Sequence, residues 1–146
     1  MLKQRLQHPE ILASLAAAGH GSKVLITDSN YPVATESGEN ANVVYLNLSP
    51  DTVKVTDVLS AIVDTVPIES AVGMTLPDGS LPPIFEDYRA ILGERFEIEG
   101  MKHTEFKKAG MAPSVCLHVA TGDTRIYSCI LLTIGYITPE GEVIKR

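Results

Sequence analysis

Lys23-Val24-Leu25-Ile26-Thr27, followed at once by Asp28-Ser29-Asn30-Tyr31-Pro32, decides how the rest of the chain is read. The first segment is apolar at all three central positions and carries the β-branched residues Val24, Ile26 and Thr27, so it reads as a strand. A strand with one wet face alternates apolar and polar side chains. This one does not, so both of its faces are covered. Residues 114–120 and 129–135 read the same way, with Thr121-Gly122-Asp123-Thr124 as a turn between them. Sheets built of such strands lie between layers of helix.

Helical periodicity supplies those layers. Ile11, Leu12, Leu15 and Ala16 share one face, Pro9 suits a first helical turn and Gly19 a stop. Val55, Val58, Leu59, Ile62 and Val66 predict a second helix, and residues 84–96 a third, with Ile84, Tyr88, Ile91 and Leu92 on one face. Residues 103–109 form a short fourth. Residues 43–46 and 68–76 add strands, and Val143-Ile144 an edge strand. Strands alternating with helices favour parallel pairing. The fold class expected is α/β: a three-layer α/β/α sandwich with a mostly parallel sheet, mixed where the final two strands run antiparallel.

The chain has 146 residues, which suits a single domain over residues 1–146 with a core that needs no disulfide or metal. Twelve Lys and Arg against 18 Asp and Glu give a net charge of −6, which provides no basic footprint for nucleic acid or an anionic membrane. No apolar run approaches the ~20 residues of a membrane helix. Cys116 and Cys129 form no CxxC pair, which excludes a disulfide scaffold and argues against a four-ligand zinc site. Lys3 and Arg5 precede apolar residues 11–18 in the manner of a signal peptide. His8-Pro9-Glu10 interrupts that pattern and the apolar run is short, so an amphipathic helix and a cytoplasmic location are expected.

Several side chains are suited to chemistry. His20 lies in Gly19-His20-Gly21 just past the first helix. A histidine there either caps the helix dipole or, between glycines that admit close approach, acts on a ligand. Asp28 ends a strand, where open α/β sheets bind ligands and where an Asp also makes turns with its own backbone. His103 opens a short helix and alone reads as a surface or capping residue. Cys116 and His118 stand two apart on a strand and are expected on one face, as a buried pair rather than a metal site, since no third ligand is near. Tyr127-Ser128-Cys129 precedes the last long strand. A tyrosine ring with its hydroxyl fits a sugar ring as well as it fits a strand edge. Cys129 has no adjacent base to make it a nucleophile.

Taken in order, Gly19-His20, Thr27-Asp28-Ser29-Asn30-Tyr31-Pro32, His103-Thr104-Glu105-Phe106-Lys107, and Thr121-Gly122-Asp123 followed by Tyr127 resemble the family of ribose pyranases and fucose mutarotases. The likeness runs over nearly the whole chain. It implies that His20 is a general acid, that Asp28 and His103 bind sugar, and that Tyr127, Ser128 and Cys129 occupy a sugar-binding Tyr-x-Asn stretch. Here the chain departs from the pattern, with Cys129 in place of Asn. The resemblance further implies a ring-shaped homo-oligomer with sites between subunits. Asn30-Tyr31-Pro32 looks like the fucose type and His103-Thr104-Glu105-Phe106 like the ribose type, with the overall pattern closer to fucose mutarotase. The chemistry implied is interconversion of sugar anomers or ring forms, which involves no redox change and requires no cofactor. A sugar-binding module without turnover, accessory to sugar transport, uses Asp28 and Tyr127 equally well. Only the enzyme requires His20 to exchange protons.

Overall fold

The computed structural model describes residues 1–94 and 96–141. Among the described residues, four helices and six strands follow one another as α1 (Pro9–Ala17), β1 (Lys23–Thr27), β2 (Asn42–Tyr45), α2 (Val55–Val63), β3 (Ile68–Met74), α3 (Ile84–Leu92), β4 (Ile98–Met101), α4 (His103–Gly110), β5 (Val115–Ala120) and β6 (Ile130–Ile134). They make one sheet of order β2-β5-β1-β6-β3-β4. β1 is central, parallel to β5 and antiparallel to β6. β3 pairs with β6 antiparallel and with β4 parallel. The sheet is therefore mixed, as expected, and β5 and β6 run in opposite directions. β5 and β6 are not partners, because β1 lies between them, and β6 alone runs against the other five.

Helices cover both faces unequally. Val24 and Ile26 of β1 face a core built from Ile11 and Leu15 of α1, Val58, Leu59 and Ile62 of α2, and Phe85 and Tyr88 of α3. Leu25 faces the other way, into a smaller cluster with Phe106 of α4, Tyr31, Met74, Cys129 and Leu131. This two-sided burial is why β1 is apolar throughout. Fully burying each such side chain contributes roughly 1.5–3 kcal/mol.

Three expectations are corrected. α3 stops at Leu92 rather than at residue 96, because Gly93 turns the chain at φ 109°, a conformation that favours glycine. The four residues of β4 were not foreseen, since an edge strand reading Ile-Glu-Gly-Met carries neither an apolar run nor clean alternation. Cys116 and His118 do not share a face. Lys23 pairs with Val115 and Val24 with Leu117, so Cys116 is the extra residue of a bulge. Cys116 packs beside the core under α1–α3, while the His118 ring lies edge-on to Tyr31, centroids 5.3 Å apart, on the opposite face. The expected strand at Val143-Ile144 lies outside the described residues.

The connection from β5 to β6 has to pass over the end of β1. It is tied there by the Thr121 N–H to the Thr27 carbonyl (3.0 Å) and the Ser29 N–H to the Asp123 carbonyl (2.9 Å). Residues 121–129 thus meet Asp28 at the carboxyl end of the central strand.

Candidate functional site

A cleft of about 360 Å³ opens at that end of the sheet, near the lower limit of the roughly 300–1,000 Å³ typical of small-molecule sites. Asp28 after β1, Tyr31 in the loop beyond it, Met74 at the end of β3, His103 and Lys107 on α4, and Tyr127 and Cys129 line it. Carboxylate, imidazole, ammonium, phenol and apolar wall converge from four separate stretches of chain.

Asp28 is held from within. Its Oδ1 accepts the Asn30 N–H at 3.0 Å, the local turn expected of such an Asp. Its Oδ2 accepts the Cys129 thiol at 3.4 Å, while its own N–H donates to the Cys129 sulfur at 3.4 Å. Burial raises the Asp28 carboxyl above its ordinary value against these hydrogen bonds, and likewise pushes the Cys129 thiol well up. Cys129 is thus a protonated donor that orients Asp28, with no thiolate character. Ser128 does not line the cleft. It is fully buried, its hydroxyl donates to the Arg125 carbonyl at 2.7 Å, and its carbonyl accepts the Tyr88 hydroxyl.

His20 is not in the cleft either. It follows α1 at the opposite end of β1, where Gly21 N–H bonds to the Ile134 carbonyl at 2.9 Å. The exposed imidazole places Nε2 2.5 Å from Glu69 Oε2 and stands edge-on to Tyr136, centroids 4.9 Å apart. Of the sequence candidates, the fold brings Asp28, His103, Tyr127 and Cys129 together and leaves His20 apart.

Two participants were not found from sequence. Lys107 lies one helical turn after His103, so the spacing alone could have flagged it. It reaches Glu36 at 2.9 Å and sits 5.9 Å from the Tyr31 ring centroid, fastening the loop after β1 to α4. Glu69 lies 49 residues from His20, and no local pattern joins them.

His118 lies beneath this loop. The Ser37 hydroxyl donates to the Val33 carbonyl at 2.7 Å, so His118 Nδ1 must donate to Ser37 Oγ, 2.7 Å away, and Nε2 accepts from Thr27 Oγ1 at 3.0 Å. The ring is buried and neutral, its pKa lowered by burial to about 4 from an ordinary 6.5. The unfolded chain takes up this proton between those values and the folded one does not. The contribution is therefore fully present above about pH 6.5 and is lost as pH falls toward 4, by up to about 1.4 kcal/mol per pH unit. Denaturant titrations at several pH values should show this slope in the native protein and a shallower one in His118→Gln. Equal slopes would remove His118 from the acid response.

Residues 1–137 match the RbsD / FucU transport protein family. The chain belongs to this family. Within it, the chain is 30% identical over 147 residues to a fucose mutarotase of Danio rerio, covering 92% of each sequence. It is 29% identical over 136 residues to a D-ribose pyranase of Cutibacterium acnes, covering 92% of this chain and 98% of that one. Among solved structures, a fucose mutarotase of Streptococcus pneumoniae in complex with L-fucose superposes with a TM-score of 0.76 at 25% identity, over 90% of this chain and 94% of that one. RbsD of Bacillus subtilis complexed with D-ribose reaches 0.80 at 21% identity, over 94% and 100%, and shows the shared fold.

Proposed function

We propose that this protein is an isomerase, a monosaccharide mutarotase or pyranase that interconverts sugar anomers or ring forms by acid–base ring opening. An L-fucose-like sugar is the first choice and a D-ribose-like sugar the second. The observation that carries the reading is the convergence of Asp28, His103 and Tyr127 on one small cleft in a member of this family. The names of its relatives, fucose mutarotase and D-ribose pyranase, support it.

The reaction needs one proton removed from the anomeric hydroxyl and one delivered to the ring oxygen. The bond between anomeric carbon and ring oxygen breaks, the carbonyl forms and rotates, and the ring recloses. Asp28, its carboxylate aimed by Asn30 and Cys129, accepts hydrogen bonds from sugar hydroxyls. Tyr127 covers the apolar face of the ring. His20, oriented by Glu69, exchanges the proton.

β1 separates His20 from the cleft of its own chain by five residues, roughly 17 Å at ~3.3 Å per residue. A sugar does not bridge that distance. The His20 that serves one cleft therefore comes from a neighbouring copy, in a homo-oligomer located in the cytoplasm.

Saturation-transfer NMR of L-fucose and of D-ribose tests the reading. Exchange between anomers should quicken with catalytic amounts of protein, and His103→Arg should shift the ratio of the two rates toward fucose. Sugar binding without faster exchange would make the protein a binding module. An unchanged ratio would place selectivity elsewhere, with Cys129 the next residue to test.

A further inference from the structure

Arg125 stands two residues before Tyr127, and its guanidinium makes four hydrogen bonds among the described residues. Its Nε and one terminal nitrogen grip the two oxygens of Asp123 at 2.9 and 2.6 Å. The other terminal nitrogen reaches Asp87 in the first turn of α3 at 3.0 Å. A weaker bond of 3.4 Å goes to the Thr56 hydroxyl in the first turn of α2. Asp123 is fully buried and also accepts the Val55 N–H that opens α2, at 3.0 Å. Burial alone would raise its carboxyl, but the bonds from Arg125 and Val55 outweigh that and hold it below the ordinary carboxylate range.

The turn closes on itself over Tyr127. The Ser128 hydroxyl donates to the Arg125 carbonyl, and the Ser128 carbonyl is held in turn by Tyr88 of α3. Between these two anchored residues Tyr127 sits at φ 60°. A non-glycine residue in the left-handed region is disfavoured by about 1–3 kcal/mol and persists only where its surroundings over-determine it. Ile126, which joins Arg125 to Tyr127, is 65% exposed and belongs to neither core cluster. The over-determination comes from the anchors on either side.

We infer that Arg125 is a positioning residue for Tyr127, clamping the 125–128 turn to α2 and α3 so that the phenol ring stays presented to the cleft. The inference rests on the mutarotase reading only for its kinetic consequence. Removing the guanidinium leaves the buried Asp123 carboxylate without its cation, breaks the turn's tie to Asp87 at the start of α3, and lets Tyr127 relax out of the left-handed region. The sugar-covering face is then present only part of the time. A wall that binds substrate and transition state alike changes KM and leaves kcat in place.

The test uses the full chain as Arg125→Ala, Arg125→Lys and Asp87→Asn. Arg125→Ala should raise KM for the sugar that the native protein exchanges by about tenfold, with kcat held within about twofold. Arg125→Lys keeps the charge but loses the two-pronged grip on Asp123, and should fall between the two. Asp87→Asn loosens only the Arg125–Asp87 tie and should raise KM least. The ring signals of Tyr127 in protein carrying labelled tyrosine provide a second readout, independent of turnover. They should shift and broaden in Arg125→Ala and Arg125→Lys. Native KM with native ring signals in Arg125→Lys and Asp87→Asn would overturn the inference, even if Arg125→Ala fails to fold. A loss of kcat at unchanged KM would also overturn it. No exchange of any sugar by the native protein would defeat the functional reading instead, while the ring signals would still decide the role of Arg125.

Discussion

His20→Ala should remove the protein's acceleration of anomer exchange, a loss of about 10²–10⁴-fold for a positioned acid–base group. Its unfolding midpoint should stay where it was. The imidazole is 47% exposed and its partners, Glu69 and Tyr136, lie near the start of β1, outside both core clusters. Mixing this variant with Tyr127→Ala then separates two arrangements of the site. If each cleft borrows its histidine from a neighbour and subunits exchange, roughly a quarter of contacts pair an intact His20 with an intact Tyr127, and activity returns in part. Wild-type exchange by His20→Ala alone would remove the residue from the mechanism. A fully active monomer would remove the shared site.

Gly122→Ala should lower stability by about 3 kcal/mol, at the upper end of what overpacking costs, and should disable the cleft with it. A β-carbon at this position would lie 2.4 Å from the Ser49 carbonyl oxygen and 2.5 Å from that of Thr52. Both are backbone atoms, so no side chain can swing aside. The Asp51 N–H bonds to the Gly122 carbonyl, and the Gly122 N–H to the Val53 carbonyl at 2.9 Å, so separating the strands of contact breaks those bonds too. Asp123 follows directly, and its links to Val55, Ser29 and Arg125 move with it. Denaturant unfolding measures the loss. A midpoint within error of the native one would show that the 46–53 segment is free to retreat.

Gly122 also marks the boundary of what one sequence can say. Read along the chain, Thr121-Gly122-Asp123-Thr124 is a turn and the glycine a turn residue. In the folded protein the requirement is space, because a carbonyl from seventy residues earlier fills the place of a side chain. The same contrast separates Asp28 from Glu69. Asp28 was legible because a polar residue ending an apolar strand has a fixed position relative to the sheet, and its bond to Asn30 is local. Glu69 approaches His20 only because β1 and β3 both flank β6 and their neighbouring termini coincide.

The sequence by itself determined the layering and every element of the sheet and helices except β4. Burial of β1 on both faces is written in Val24-Leu25-Ile26, and α1 to α3 in apolar residues recurring at helical spacing, because those patterns depend on periods of a few residues. It also determined that Tyr127 and Asp28 were candidates, through residue type and position in the chain. Strand order, the bulge at Cys116 that turns His118 to the other face, and the Arg125–Asp123–Asp87 clamp were decided by the tertiary structure alone. Each depends on which distant segments become neighbours. That choice is made by the whole core closing at once, and no window of sequence contains it.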